Sequence, residues 1–314
     1  MKHNVKITAI LLGMFLITQF IGLAVIKADP FNIIVSIEGE EKKVPNPYLA
    51  WIQPPEAEEE KDFLTKFLPS IVVAFIIAIV LLFVLSKFEL SFILRAWFFL
   101  VVTFAMSLTI YAFEILVPWT INPIVALVIP LLISIPLAVK KIYGRNFLVH
   151  NSTELLVYPG IAAVFVPILN VVTIVALLII ISLYDMWAVW HSKIMQSMAK
   201  YQIDKLKIFS GFFVPYISKS VRSKLKKLTK SQLKKKKIKA NVAILGGGDI
   251  IFPIITAGVM FNTLGVVSAL LVIAGATLGL GSLFFFAEKK KFYPAMPFIT
   301  GGIFLVIILS YLIF

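Results

Sequence analysis

The sequence predicts an all-α membrane protein that crosses the bilayer nine times. Of its 314 residues, 60% are hydrophobic and the mean hydropathy is +0.98, whereas soluble domains are roughly 45–50% apolar. Apolar runs of about 20 residues recur along the chain, and this is the length that spans a bilayer as a helix. A water-soluble fold could not hide so much apolar surface, so these observations predict a polytopic membrane protein.

The apolar runs predict nine helices, each bounded to within about four residues. The first six are expected at about 7–26, 67–86, 90–113, 123–139, 147–168 and 171–190, and the last three at about 240–261, 264–287 and 292–314. The first helix is predicted to be an uncleaved anchor. The chain therefore divides into a six-helix N-terminal membrane part (1–190, with an outer acidic loop at 27–66), a basic loop (191–239) and a three-helix C-terminal part (240–314).

The charge distribution predicts the orientation of the chain in the membrane. The net charge is +14, and the segment 191–240 carries fourteen lysines and Arg222 against one acid, Asp204. With the N-terminus inside, the inner loops hold 24 basic residues and the outer loops hold five. The positive-inside rule therefore predicts a cytoplasmic N-terminus and an outer C-terminus in a cell membrane.

The basic loop has a second interpretation, which is contact with anionic lipid headgroups, with the apolar residues of 207–216 supplying the buried half of that contact. Nucleic acid is not expected as a partner, because the loop is tethered between two membrane helices. The sequence leaves the oligomeric state open, so a homo-oligomer is one expectation.

Metal and cysteine chemistry are not expected. The chain has no cysteine, and its three histidines form no metal-ligand spacing. We therefore predict neither a metal nor a cofactor.

Two aspartates stand alone inside predicted spans, Asp185 in helix six and Asp249 in helix seven. A charged carboxylate at this depth costs several kcal/mol, so each is a functional-site candidate whose partner must be named. Asp185 is eight residues from Lys193 and Asp249 is ten from Lys239. At about 1.5 Å per residue, both lie within roughly 12–15 Å of the cytoplasmic boundary, so the two carboxylates can meet.

Their sequence neighbours indicate an irregular backbone. Gly246, Gly247 and Gly248 directly precede Asp249, and Pro253 follows four residues later. Glycines let a helix unwind, and proline removes a helical hydrogen bond; the alternative is a small-residue packing face.

Two further segments belong to the predicted site. Tyr184, beside Asp185, either donates a hydrogen bond in the site or belongs to an interfacial aromatic belt. Pro294, Ala295 and Met296 begin helix nine, and Pro297 follows them. The prolines either leave carbonyls free for an extended substrate or mark an ordinary helix start.

These motifs resemble the three signatures of the presenilin and signal peptide peptidase family. They are Tyr184-Asp185 for Tyr-Asp, Gly246-Gly247-Gly248-Asp249 for Gly-x-Gly-Asp, and Pro294-Ala295-Met296 for Pro-Ala-Leu. The order of these motifs, the nine spans and the long loop between helices six and seven also match the family. A chain with no extra domain looks most like the archaeal presenilin homologues. It departs from the family at Gly247 and Met296, where leucine is usual.

The resemblance implies an intramembrane aspartic endopeptidase that cleaves transmembrane helices of membrane-protein substrates, with Asp185 and Asp249 as the catalytic dyad. Tyr184, the three glycines and the segment 294–296 would support the site and bind substrate. Two alternatives remain open at this point. One is a prepilin-peptidase-like enzyme that cuts leader peptides at the membrane surface. The other is a cation or proton channel or transporter that uses the paired aspartates.

Overall fold

A computed structural model describes residues 5–37, 40–52, 68–87, 91–117, 122–144, 146–192, 210–216, 241–287 and 293–313. Nine α-helices are present within this part of the chain. They are α1 (Val5–Ala28), α2 (Leu68–Lys87), α3 (Ser91–Ile115), α4 (Pro123–Tyr143), α5 (Phe147–Phe165), α6 (Val171–Trp187), α7 (Gly247–Leu264), α8 (Val266–Phe286) and α9 (Met296–Ile313). Short 3₁₀ and π segments extend α5 to Ile168 and α6 to Ser192.

The helices confirm the predicted membrane fold. Eight of them, all except α2, are long and apolar enough to cross a membrane. The helix α2 has 20 residues, and its only charged residue is Lys87 at its end. Asn170 separates α5 from α6 as predicted, because its side chain accepts the Thr173 amide in a reciprocal cap at the start of α6.

Two short antiparallel hairpins depart from the all-α prediction. One pairs β1 (Asn32–Ile37) with β2 (Glu40–Pro45), and the other pairs β3 (Gly211–Tyr216) with β4 (Asn241–Gly246). The start of helix seven was therefore predicted wrongly, since 241–246 is a strand and α7 begins at Gly247. Burial explains why: Ala243 and Leu245 are buried while Val242 and Ile244 are exposed. This alternation is the period of a strand, and mean hydropathy alone cannot separate it from a helix.

The helix α7 lies at the centre of the fold, where it packs against α1, α5, α6, α8 and α9. Its contact with α1 is close, because a side chain at Gly22 would overlap Ile254. One apolar core joins helices from both sides of the basic loop. The predicted division of the chain at that loop stays a prediction.

Most of the basic loop lies outside the described residues, namely 193–209 and 217–240. The strand β3 is the described part of its apolar segment. Phe212 in β3 is fully buried and packs edge-on against Tyr158. This aromatic ring therefore belongs to the protein core. Within the described part of the segment, only its partly exposed neighbours can supply the apolar half of the expected lipid contact.

Small residues join α8 to α9. A Cβ added at Gly275, Gly279 or Gly302 would overlap backbone atoms of the facing helix. These glycines let the two backbones approach closely, which supplies van der Waals contact in a membrane that provides no hydrophobic driving force between helices.

This packing predicts a contrast between neighbouring glycines of α9. The variant Gly302→Ala should lower the melting temperature in detergent by several degrees, because overpacking costs about 1–3 kcal/mol. Gly301 has nothing within 4 Å of an added Cβ, so Gly301→Ala should leave the melting temperature unchanged or raise it. Equal effects of the two substitutions on thermal unfolding would contradict this account of the α8–α9 contact.

Candidate active site

The carboxylate of Asp185 lies at the N-terminus of another helix. Asp185 is in the last turn of α6 and is buried. Its Oδ2 accepts the backbone N–H of Met296, the first residue of α9, at 3.1 Å, and the backbone of Ala295 makes a further hydrogen bond to the same side chain. The positive end of the α9 dipole therefore faces this carboxylate.

Asp249 occupies the first turn of its own helix. Gly246 is the N-terminal capping residue of α7, and its backbone hydrogen-bonds the Asp249 side chain. A Cβ at position 246 would lie 3.2 Å from Asp249 Oδ2. The absence of a side chain at Gly246 thus allows the carboxylate to fold back over the start of α7.

The helix α7, which carries Asp249, packs against α6, which carries Asp185, and against α9, whose first amide binds Asp185. Each carboxylate lies at the N-terminal end of a helix, where backbone N–H groups and the helix dipole stabilise negative charge. Two nearby carboxylates cannot both ionise easily in a low-dielectric site, so they tend to share one proton. The arrangement can therefore offer a base and an acid together.

The glycine run begins a helix and does not unwind one. Gly247 and Gly248 have helical backbone in the first turn of α7, so the predicted break lies at the strand-to-helix junction. Gly247 is buried, and an added Cβ there would lie 2.8 Å from Ser210 Oγ and 3.1 Å from Tyr158 Cε1. Gly248 is exposed and nearly without neighbours. Pro253 lies inside α7 and removes the donor that the Asp249 carbonyl would otherwise receive.

The proline segment is the start of a helix, and backbone groups in it already have hydrogen-bond partners within the protein. The Ala295 carbonyl accepts the amides of Phe298 and Ile299 at 3.2 Å each. The expectation that carbonyls here lack internal donors is therefore wrong for Ala295, because α9 begins one residue later. Pro294 is buried beside the site, and it is the Met296 amide that reaches Asp185.

Tyr184 lies on a partly exposed side of α6, with its ring tilted against Trp187 at 6.2 Å between centroids. This position fits the aromatic-belt interpretation, and a role in the site stays a prediction.

Side-chain hydrogen bonds brace both aspartate-bearing helices. Ser182 Oγ, one turn before Asp185, donates to Thr300 Oγ1 of α9 at 2.8 Å, and both residues are buried. Gln19 Nε2 of α1 donates to the Ile250 carbonyl of α7 at 3.1 Å. Both contacts fix the backbone next to a carboxylate.

A third buried acid was not among the predicted site residues. Glu154 in α5 forms an ion pair with Lys141 at 2.8 Å, and their side chains are 2% and 3% exposed. Lys141 was counted as a loop charge at the end of helix four. A signal was available, because Glu154 is an acid within a predicted span and requires a partner for the same reason as the aspartates.

Among the residues that the structure describes, no group of three His, Asp or Glu side chains could hold a metal ion.

A carboxylate pair set among membrane-spanning helices is the arrangement that an intramembrane aspartic protease requires. The chain belongs to the signal-peptide peptidase and presenilin aspartyl protease family, because the model of that family matches residues 52–314. It is similar to two solved structures of a presenilin family intramembrane aspartate protease, each 16% identical. The P2 crystal form gives a TM-score of 0.58, with 97% of both chains covered. The C222 form gives 0.60, with 98% of this chain and 99% of that chain covered. No curated protein shows a sequence match.

The packing of the glycine run predicts different effects at adjacent positions. Gly247→Ala should lower both the melting temperature and the cleavage rate, because the new methyl group meets Ser210 and Tyr158 at the base of the site. Gly248→Ala should leave the melting temperature unchanged, since its added Cβ would meet only Phe252, at 3.9 Å. Thermal unfolding and cleavage of a single-span substrate measure both effects. A larger loss of stability in Gly248→Ala would contradict the described packing.

Proposed function

We propose that Asp185 and Asp249 are the catalytic dyad of this intramembrane protease, and that its substrates are single transmembrane helices of membrane proteins. The observation that carries this proposal is the placement of each carboxylate at a helix N-terminus, on the two neighbouring helices α6 and α7. The family membership supports it, since it supplies the reaction that such a pair would perform.

The reaction follows from one shared proton. The ionised carboxylate takes a proton from water, whose oxygen attacks the scissile carbonyl carbon. The protonated carboxyl hydrogen-bonds the carbonyl oxygen and stabilises the charge that develops there. Collapse of the tetrahedral intermediate breaks the C–N bond, and the leaving nitrogen receives a proton from the dyad. One carboxylic acid and one amine are released, and the dyad again holds one proton.

The substrate must be extended at the cleaved bond, because a helical carbonyl is shielded by its own hydrogen bonds. The strand β4 leads directly into Gly246, and within the described residues it pairs only with β3. Its other edge offers N–H and C=O groups to which an unwound substrate segment can add as a strand. Exposed Gly248 and the backbone at Pro294 would border that segment beside the dyad.

The orientation and the remaining partners belong to the same proposal. A cytoplasmic N-terminus and an outer C-terminus in a cell membrane would place the dyad toward the cytoplasmic side. The charge bias of the loops supports this orientation. The basic loop would bind anionic headgroups through its lysines, and a homo-oligomer stays a prediction.

Substitution of either aspartate should abolish proteolysis. Purified wild type in liposomes should cleave a generic single-span substrate, whereas Asp185→Ala and Asp249→Ala should each lose at least about a thousandfold in kcat, because neither half of the dyad works alone. Asp204→Ala in the basic loop is the control and should keep wild-type activity.

Folding of each aspartate variant is checked by thermal unfolding. Cleavage that survives in a folded Asp185→Ala or Asp249→Ala variant would contradict the assignment of the dyad. Failure of the wild type on several substrates would favour the ion-pathway alternative, which flux measurements on the same liposomes test.

The shared proton predicts a bell-shaped dependence of kcat on pH. At low pH both carboxyl groups are protonated and no base remains, so the rate falls as pH decreases. At high pH both are ionised and no acid remains, so the rate falls as pH increases. Single-turnover cleavage across pH measures this profile. A flat rate from about pH 4 to about pH 9, with chemistry limiting, would argue against a proton-sharing dyad.

A further inference from the structure

A buried ion pair near the site has no role in the reaction described above. Lys141 Nζ of α4 lies 2.8 Å from Glu154 Oε1 of α5, and both side chains are almost completely buried. An ion pair buried in a membrane protein is costly to desolvate, and it is weak evidence for stability. The stabilising role of this ion pair is therefore small, and its function is sought in the groups that it contacts.

The Glu154 end of the pair holds the start of strand β3. Glu154 Oε1 accepts the Gly211 backbone N–H at 3.4 Å, and His150 Nε2 lies 2.9 Å from the Gly211 carbonyl. Since that carbonyl can only accept, we assign the His150 proton to Nε2. Asn151 continues the row, because its side-chain amide donates to the Phe213 carbonyl at 2.8 Å and its oxygen accepts the Phe213 N–H at 3.2 Å.

These side chains of α5 hydrogen-bond the backbone of β3 in the way that the backbone of a neighbouring strand would. Between them the three residues satisfy both backbone groups of Gly211 and both of Phe213. Lys141 also reaches Thr153 Oγ1 at 3.4 Å, which ties α4 to the same turn of α5. The polar groups of the first half of β3 are therefore paired with α5 on one side and with β4 on the other.

The strand β3 in turn sets the position of the catalytic segment. Gly211 is paired with Gly246 in the register of the hairpin. Gly246 caps α7 and hydrogen-bonds the Asp249 side chain. Because β3 and β4 are hydrogen-bonded to each other, a displacement of β3 at Gly211 would be passed through the strand pair to Gly246, the group that holds Asp249.

Tyr158 provides a second connection, one helical turn beyond Glu154. Its side chain is fully buried, and its ring packs against Gly247 and Phe212. Its hydroxyl lies at the first turn of α7, where a Cβ added at Gly247 would be 3.2 Å from it. Glu154 therefore borders both structures that support the first turn of α7.

We propose that Glu154 is a positioning residue for the protease reaction, with Lys141 as its counter-ion. By holding the Gly211 amide, Glu154 fixes strand β3, and β3 fixes Gly246 and the Asp249 carboxylate in the orientation that the dyad requires. This inference rests on the proposed function, because it assigns Glu154 a role in placing one member of the dyad. Glu154 acts on the dyad through the backbone of β3 and β4.

A matched pair of double variants separates positioning from charge. Lys141→Met with Glu154→Gln removes both charges and keeps an oxygen that accepts the Gly211 N–H. Lys141→Met with Glu154→Leu removes both charges and that acceptor. Neither leaves an unpaired buried charge, so both should fold. The Gln variant should melt close to the wild type, and the Leu variant should melt a few degrees lower because the buried Gly211 N–H then lacks an acceptor. Glu154→Asp is a further variant, which keeps the charge and shortens its reach by one methylene group.

Cleavage kinetics and backbone amide exchange are measured for all three variants. The Gln variant should keep kcat within about threefold of the wild type. The Leu and Asp variants should lose about tenfold or more in kcat with KM within about twofold, since a small misplacement of a catalytic group costs rate and not binding. Hydrogen exchange of the β3 and β4 amides should increase in the Leu and Asp variants and not in the Gln variant.

Three results would overturn the proposal. The first is wild-type kcat and wild-type exchange in a folded Leu or Asp variant. The second is an equal loss of kcat in the Gln and Leu variants, which would assign the effect to the charge. The third is a raised KM at unchanged kcat, which would place Glu154 in substrate binding. A wild type that cleaves nothing would refute the proposed function separately, and increased exchange in the Leu variant would then still establish Glu154 as the anchor of β3.

Discussion

The proposed site depends on two carboxylates held at the N-termini of two helices. A carboxylate in a membrane needs donors, and here they come from backbone amides: Met296 of α9 for Asp185, and Gly246 at the start of α7 for Asp249. A second charge in the same place would be repelled by the first and poorly solvated, so the pair is suited to keep one proton. A proton and a charge side by side are the acid and base that peptide hydrolysis requires.

Placing two helix starts next to each other requires support from the rest of the fold. The helix α7 is central and packs on five other helices, while α9 is joined to α8 through glycines and to α6 through Ser182 and Thr300. On the other side, α5 holds strand β3 through polar side chains, and β3 holds β4. These buried polar contacts therefore fix the backbone close to the two carboxylates.

Hydropathy and short motifs predicted the nine helices and most of their ends, because span length is a local property of sequence; the pairing of Asp185 with Asp249 as a dyad stays a prediction. Strand β4 was missed because its alternating apolar residues raise mean hydropathy as a helix would. The hydrogen bond from the Met296 amide to Asp185 was not predicted either. The sequence indicates that a helix starts at this position, but it does not indicate which side chain accepts the first amide of that helix. The ion pair of Lys141 and Glu154 depends on how α4 and α5 pack, and this lies beyond any single segment.

The most direct test of the shared charge is a proton count. Infrared difference spectroscopy compares wild type at neutral pH with the double variant Asp185→Asn/Asp249→Asn through the carboxylic acid carbonyl stretch, and all other acids cancel in the difference. A shared proton predicts that wild type contains one protonated carboxylic acid more than the double variant. A difference of two would mean that both aspartates are neutral, and a difference of zero would mean that both are ionised; either result would contradict the central claim.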